Sequence, residues 1–189
     1  ERLLGKKNEV IEQLTSGLTG LCKARKVTRL LGKGVFTDAT TLSVTGADGE
    51  QDVQFDNAII ATGSFPFVLP NLPVDPRIWD STEALKLKSV PKRFLIIGGG
   101  IIGLEMAQIY SALGSEITIV EMLEQLIPPA DKDLVQPLFL KLKKKYTILT
   151  KTKVTSVVGD TDSLQVTFEG KGGEKTDEYD AVLVAVGRK

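Results

Sequence analysis

The 189-residue sequence has no histidine and a single cysteine, Cys22. Without histidine, no mechanism that needs an imidazole can be carried by this chain alone. We predict no metal site in it. One cysteine cannot form an internal disulfide, which fits a reducing compartment, and we interpret Cys22 as a packing residue. No signal peptide is visible at the start, and no apolar run approaches the ~20 residues that cross a membrane.

The sequence also lacks a charge excess of either sign. Lysine plus arginine and aspartate plus glutamate number 24 each, so the composition gives no reason to expect nucleic acid or a membrane as a partner. The strongest basic cluster, residues 141–145, is typical of a solvated helix end whose charges complement the helix dipole.

The chain begins on Glu1 and ends at Lys189 just after a strand-like run, so we expect a piece of a longer protein.

The first part of the chain predicts a helix and a small meander. Residues 1–26 have helical apolar periodicity with leucines on one face. Residues 27–55 contain strand-like runs on either side of a turn at 46–49, which predicts antiparallel strands. The apolar run AIIA at 58–61 then predicts a strand buried on both faces.

Residues 65–92 differ in composition from their neighbours, because they hold five of the eight prolines. Such a segment is expected to cross between domains rather than to form a core element. Within it, Asp80 and Glu83 have the spacing of a capping box at the start of a short helix. We place the domain boundary near residue 80, which divides the chain into 1–80 and 81–189.

The second part alternates strands and helices. The predicted order begins with a strand at 94–97, a helix at 102–113, a strand at 116–121 and a helix at 130–146. Strand-like runs follow at 147–158, 163–168 and 175–186, and they predict a meander that leads into a closing strand. Pro137 should kink the second helix or delay its start. The predicted fold class is α/β, a Rossmann-like parallel sheet with an inserted three-stranded β-meander, preceded by a partial nucleotide-binding segment with its own meander.

One pattern occurs twice. FDNAIIATGS at 55–64 returns as YDAVLVAVGR at 179–188, each with an aromatic residue and an aspartate before an apolar run that ends near a glycine, Gly63 or Gly187. We predict that each copy is a strand that leaves a meander, re-enters a parallel sheet and ends at its carboxyl edge, where open α/β sheets bind ligands. The simplest account is two nucleotide-binding units, the first without its front end.

The segment IIGGGIIGLE carries the chemistry. Gly98, Gly100 and Gly103 have the spacing of a dinucleotide-binding turn between a strand and a helix. In that turn the first glycine allows the tight bend, the second admits a pyrophosphate to the backbone, and the third lets helix and strand pack closely. The alternative is a tight turn with no ligand. The strand before it and an acid at the end of the next strand favour dinucleotide binding.

That acid is Glu121, 18 residues past Gly103. Its carboxylate can accept both ribose hydroxyls of NAD, whereas the 2′-phosphate of NADP would be repelled by up to ~4 kcal/mol at ~4 Å. Met122 and Leu123 follow it, with no arginine to receive a phosphate. NAD is therefore the predicted cofactor.

With GGGIIGLE, the acid-ended strand, ATGS and AVGR in this order, the chain resembles the flavin disulfide oxidoreductases, and among them the dihydrolipoamide dehydrogenases. The resemblance covers essentially all residues and implies a late part of an FAD domain over 1–80 and an NAD domain over 81–189. It implies NAD contacts at the turn and beyond it, by Gly98, Gly99, Gly100, Ile101, Ile102, Gly103, Glu105, Glu121, Val154 and Gly187. It implies FAD contacts by Gly34, Thr62, Gly63 and Ser64.

The resemblance also suggests individual roles. Ile101 would gate the nicotinamide pocket, Glu105 would face the nicotinamide side, and Val154 would contact the adenine end. Two of these have plainer alternatives: Glu105 as a carboxylate favoured at a helix N-terminus, and Val154 as an ordinary strand residue.

Several parts of the family pattern are missing from this sequence. They are the first glycine-rich FAD motif, the redox-active cysteine pair, the later Gly-Asp motif, the catalytic histidine–glutamate pair and the dimer-forming domain. The resemblance implies a homodimeric parent that oxidises dihydrolipoamide on a lipoyl domain and passes electrons through FAD to NAD⁺, in a bacterial cytoplasm or a mitochondrial matrix. The resemblance implies that this chain supplies only the NAD half of that reaction, contains no catalytic residue, does not retain FAD and does not turn over alone.

Two alternatives stay open at this point. A glutathione or mercuric reductase relative would favour NADPH, against which Glu121 argues. A stand-alone NAD-binding module would have no chemistry, but a meander without its preceding half would leave a sheet edge exposed.

Overall fold

The computed structural model describes residues 2–189, and the chain divides into two compact units between Thr62 and Gly63. This division lies earlier in the chain than the domain boundary near residue 80 that the composition predicts. Residues 63–80 belong to the second unit because a short strand within them joins its sheet. The assignment of 1–80 and 81–189 to an FAD and an NAD domain stays a prediction. Among the described residues, no helix is both long and apolar enough to cross a membrane.

The first unit contains one helix and three strands. Their bounds are α1 (Arg2–Ala24), β1 (Lys33–Phe36), β2 (Thr41–Gly46) and β3 (Gly49–Gln54). The strands form an antiparallel sheet in the order β1-β2-β3, which confirms the predicted meander. No residue of α1 is buried, so its leucine face stays exposed in this unit.

The strand predicted at 58–61 is wrong. These residues have no regular secondary structure, and Ile59 and Ile60 are 93% and 72% exposed. The physical reason is the lack of a ladder: the strands described in the first unit pair only with one another, and an extended segment gains stability only when its backbone groups find partners.

The second unit is built on a five-stranded parallel sheet in the order β4-β11-β5-β6-β7. Its strands are β4 (Ile78–Trp79), β5 (Arg93–Ile97), β6 (Glu116–Glu121), β7 (Thr147–Thr150) and β11 (Ala181–Val184). A second, antiparallel sheet is inserted before β11 and consists of β8 (Lys153–Gly159), β9 (Leu164–Gly170) and β10 (Gly173–Tyr179). The predicted fold class is confirmed, and the proline-rich segment supplies the unpredicted edge strand β4.

Three helices complete the second unit: α2 (Ser81–Leu85), α3 (Ile101–Ala112) and α4 (Lys132–Leu142). The predicted cap of α2 is present, because the Glu83 N–H donates to Asp80 Oδ1 at 2.8 Å. The Glu83 carboxylate pairs with Lys86 and Lys88 instead of returning to the cap. Pro137 lies inside α4 and does not delay its start.

The sheet separates two cores because successive side chains of a strand point to opposite faces. In β5, Phe94 and Ile96 pack on the side of α3 and α4, whereas Leu95 and Ile97 pack with the inserted sheet. Both faces are therefore covered, which explains the continuous apolar runs of β5, β6 and β11.

Arg77 fastens the proline-rich segment to the inserted sheet. Its guanidinium donates to both carboxylate oxygens of Asp75, at 2.9 and 2.8 Å, and to the backbone carbonyls of Asp160 and Ser163 at 2.9 and 3.0 Å. Hydrogen bonds from the Arg77 side chain hold the pKa of Asp75 below its ordinary value, against the opposing effect of burial.

We expect Asp75→Asn to lower the free energy of unfolding of the second unit by about 1–2 kcal/mol, because charged hydrogen bonds to Arg77 are lost. Since the pKa of Asp75 is lower in the folded state, its contribution is complete above the unfolded pKa of about 3.9 and is lost as the pH falls through the folded pKa. Urea unfolding across pH checks this, with Asp162→Asn in the neighbouring turn as control. A gap between parent and Asp75→Asn that persists at the lowest pH would contradict it.

Candidate functional site

The carboxyl ends of three parallel strands meet at one edge of the second unit. The Gly98 N–H after β5 donates to the Val120 carbonyl in β6 at 2.8 Å, and the Ala185 N–H after β11 donates to the Ile97 carbonyl at 2.8 Å. The glycine turn therefore lies between the ends of β6 and β11. This is the edge at which the closing copy of the repeat was predicted to arrive.

The glycines of the turn meet different surroundings. Gly98 has φ +109°, and a Cβ there would lie 2.4 Å from the Ala185 carbonyl oxygen. A Cβ on Gly103 would lie 2.2 Å from the Gly98 carbonyl oxygen. A Cβ on Gly100 would meet no protein atom within 4 Å. The turn is thus closed at Gly98 and Gly103 and open at Gly100.

Helix α3 begins directly after this opening, with Gly100 as its N-cap and no side chain capping it. The first turn of an α-helix leaves its N–H groups without acceptors inside the helix. These amides and the helix dipole favour an anion at this position. The open side of Gly100 and the start of α3 together can accept a phosphate group.

Glu121, the last residue of β6, is buried beside the turn. Its Oε2 accepts a hydrogen bond from the Gly99 N–H at 2.7 Å, and its Oε1 accepts one from the Leu123 N–H at 2.8 Å. The structure therefore brings together the glycine turn and the acid that the sequence pattern linked. Each carboxylate oxygen has two lone pairs, so acceptor capacity remains for a ligand.

The other residues predicted to contact NAD also lie in the second unit. Ile101 opens α3 with 62% of its surface exposed, Glu105 is exposed one turn later, and Gly187 follows β11 with φ +125°. Val154 lies in β8 and packs against the core beneath the inserted sheet. That packing fits an ordinary strand residue, and its contact with an adenine stays a prediction.

The residues predicted to contact FAD are divided between the units. Gly34 and Thr62 belong to the first unit, and Gly63 and Ser64 belong to the second. Gly63 has φ +77° with open space around it, and the Ser64 hydroxyl accepts a hydrogen bond from Arg188 Nε at 2.8 Å. The FAD assignment stays a prediction.

The last residues of the two copies of the repeat, and the residues directly after them, pair with each other. Phe65 and Lys189 exchange backbone hydrogen bonds of 2.7 and 2.9 Å, and the Phe67 N–H donates to the Gly187 carbonyl at 3.0 Å. Arg188 adds bonds from its side chain to Ser64 and Ser81. The two copies are thus linked through their last residues rather than through equivalent strands.

Sequence reasoning missed residues that come to the site from the loops after β6 and β7. The Lys151 N–H donates to the Leu123 carbonyl at 2.9 Å, while its ammonium lies 2.8 Å from Glu124. Lys132 also pairs with Glu124, at 3.5 Å, and the two lysines hold the pKa of Glu124 below its ordinary value. The two lysines that the fold brings close to the end of β6 are therefore both paired with one carboxylate. No local signal marks them, because β6 and β7 are adjacent only in the folded sheet.

The parallel sheet, the glycine turn and the acid at the end of the next strand define the dinucleotide-binding class of α/β folds. Residues 1–189 match the family described as pyridine nucleotide-disulphide oxidoreductase. The chain belongs to this family.

Curated proteins similar to this chain include dihydrolipoyl dehydrogenases. The chain is 55% identical to the enzyme of Haemophilus influenzae and 53% identical to that of Vibrio cholerae, each over 184 residues and 96% of this chain. It spans 38% and 39% of the length of those two proteins. The predicted resemblance to this group is confirmed.

Solved structures show the same fold. The Cu(II) complex of the C43S mutant of RclA, an HOCl-induced flavoprotein disulfide reductase from Escherichia coli, matches with a TM-score of 0.84 and 27% identity, over 100% of this chain and 43% of that one. LpdA from Mycobacterium tuberculosis matches with a TM-score of 0.82 over 95% of this chain and 40% of that one. At 23% identity, this second likeness concerns the fold alone.

Proposed function

We propose that the second unit binds NAD(H) at the carboxyl edge of its parallel sheet. The observation that carries the proposal is the combination of an open Gly100 with a buried Glu121 whose carboxylate lies against the same turn. A pyrophosphate fits the first, because only at Gly100 does the turn leave room for a ligand to approach the backbone. An adenosine ribose suits the second, because a carboxylate accepts from two hydroxyl donors.

In this proposal each residue has a distinct task. The amides at Gly100, Ile101 and Ile102 bind the pyrophosphate, and Gly98 and Gly103 shape the turn. Glu121 orients the ribose and disfavours a 2′-phosphate by charge repulsion.

At the nicotinamide end of the nucleotide, Ile101 shields the ring from water and Glu105 faces it, while Gly187 borders it from the end of β11. When bound, NAD⁺ supplies a hydride acceptor.

We further propose that the chain is the NAD-binding portion of a dihydrolipoyl dehydrogenase. Support comes from curated dihydrolipoyl dehydrogenases that are 40–55% identical to this chain. The whole enzyme would be a homodimer that oxidises dihydrolipoamide carried on a lipoyl domain and passes the electrons through FAD to NAD⁺. The sequence has one cysteine and no histidine, so a dithiol reaction with an imidazole base cannot run on this chain alone, and we expect no turnover from it.

The alternative is an NADPH-dependent disulfide reductase. The likeness to RclA, a flavoprotein disulfide reductase, supports this alternative. The distinction rests on the nucleotide. Lys132 and Lys151 are both engaged by Glu124, which offsets one of their two charges, so the proposed preference for NAD rests on the carboxylate of Glu121.

We expect saturable binding of NADH and at least tenfold weaker binding of NADPH, because even ~2 kcal/mol of repulsion exceeds a tenfold change in affinity. Titration at one salt concentration, followed by nucleotide fluorescence, measures both constants. Glu121→Gln should narrow the preference, whereas Glu116→Gln, at the opposite end of β6, should leave it unchanged.

The outcomes separate the candidates. Equal affinity or a preference for NADPH would favour the reductase alternative. Absence of saturable binding for both nucleotides would contradict the proposed site itself.

A further inference from the structure

The Gly99 backbone is held on both sides by residues of the loop that follows β6. Its N–H donates to Glu121 Oε2 at 2.7 Å, and its carbonyl accepts from the Ile127 N–H at 2.9 Å. The Leu126 side chain fills the space beside it, because a Cβ on Gly99 would lie 2.5 Å from Leu126 Cδ2. Leu126 is itself fully buried.

These contacts fix the direction of the amide that follows. In a planar trans peptide the C=O and the next N–H point in opposite directions. Because the Gly99 carbonyl points to Ile127, the Gly100 N–H points away from the loop after β6. The orientation of a phosphate-binding amide is thus set before any ligand arrives.

The backbone of Ile127 shows that this arrangement is maintained against strain. Ile127 has φ +46°, a strained conformation that β-branched residues rarely adopt. Its N–H is the group that holds the Gly99 carbonyl, and its side chain packs against the core. Strain of this kind persists only where surrounding contacts over-determine it, and at a binding site it is a mark of pre-organisation.

We propose that Glu121 is a positioning residue for the phosphate-binding turn, in addition to any contact with ribose. Together with Leu126 and Ile127 it forms a clamp around Gly99, which keeps the turn in its binding conformation without nucleotide. This inference rests on the proposed function of the edge, but the clamp itself can be tested without NAD.

The first test is amide hydrogen exchange of the nucleotide-free chain. In Glu121→Gln, one side-chain oxygen remains to accept from two N–H groups, because the amide nitrogen is a donor. We expect exchange of the Gly99 N–H to accelerate at least about tenfold, since local opening becomes easier. Glu121→Asp, which keeps the charge but is one methylene shorter, should act in the same direction and serves if Glu121→Gln folds poorly. Glu124→Gln removes a charge from the same loop without touching Gly99 and should leave the rate unchanged.

The second test uses inorganic pyrophosphate, which has no ribose, and follows the amide resonances of the turn. If Glu121 acted through ribose alone, removal of its negative charge would leave pyrophosphate binding unchanged or strengthen it. The clamp predicts the opposite sign, a weakening of at least about threefold in Glu121→Gln, because the amides are no longer pre-oriented.

Unchanged Gly99 exchange in both Glu121 variants, or pyrophosphate affinity equal to or above that of the parent chain, would overturn the proposal. Neither result depends on the preference between NADH and NADPH. Failure of the clamp and failure of the proposed nucleotide site are therefore distinguishable.

Discussion

Replacement of Gly100 by alanine is expected to weaken NADH binding at least about tenfold while leaving the fold intact. The added Cβ would point into space that is free of protein atoms, where a pyrophosphate would approach the backbone. The Gly100 φ of −77° suits alanine, so stability should stay the same or rise by about 0.4–1 kcal/mol through the unfolded state. Urea unfolding and NADH fluorescence measure the two effects separately.

The matched variant is Gly98→Ala, two residues earlier. Here the backbone has φ +109°, and the Cβ would lie 2.4 Å from the Ala185 carbonyl oxygen, a backbone atom that cannot move alone. We expect a loss of about 3 kcal/mol or more in the free energy of unfolding. Unaltered NADH affinity in Gly100→Ala would show that the nucleotide does not bind at this turn.

Tyr110→Ala is expected to lower the free energy of unfolding of the second unit by about 3–5 kcal/mol. Tyr110 is fully buried on α3, and its ring centroid lies 4.7 Å from that of Phe94 in β5 and 5.9 Å from that of Trp79 in β4. Its hydroxyl donates to the Ala84 carbonyl in α2 at 2.7 Å. One side chain therefore connects the parallel sheet to the segment that precedes it, and its removal would leave a cavity among three elements.

Tyr110→Phe is the control that keeps the ring. Its expected cost is about 1 kcal/mol, because the Ala84 carbonyl still accepts from the Leu87 N–H at 3.2 Å. The single tryptophan, Trp79, contacts the altered site, so its fluorescence reports the unfolding of this region directly. A cost for Tyr110→Ala no larger than that of Tyr110→Phe would contradict the packing role of the ring.

The sequence determined the central part of the second unit. The apolar runs of β5 and β6, the glycine turn and the helix that follows are consecutive in the chain, and each is specified by residues within a few positions of it. The apolar run of β11 was recognised as a closing strand, although the structure divides the predicted run 175–186 into β10 (Gly173–Tyr179) and β11 (Ala181–Val184). Glu121 was identified from the sequence because the strand that ends on it is recognisable from its own apolar residues.

Only the tertiary structure decided the remaining features, because each depends on partners distant in sequence. Residues 58–61 have the same apolar pattern as β11 but form no strand, since no parallel ladder in the first unit receives them. Ile78 and Trp79 lie in a proline-rich segment and still form β4, because β11 offers an open edge. The clamp on Gly99 depends on a positive φ at Ile127 that its side chain disfavours locally. In all three cases, long-range hydrogen bonds and packing outweigh the local conformational preference of the residues. A sequence pattern shows only that local preference.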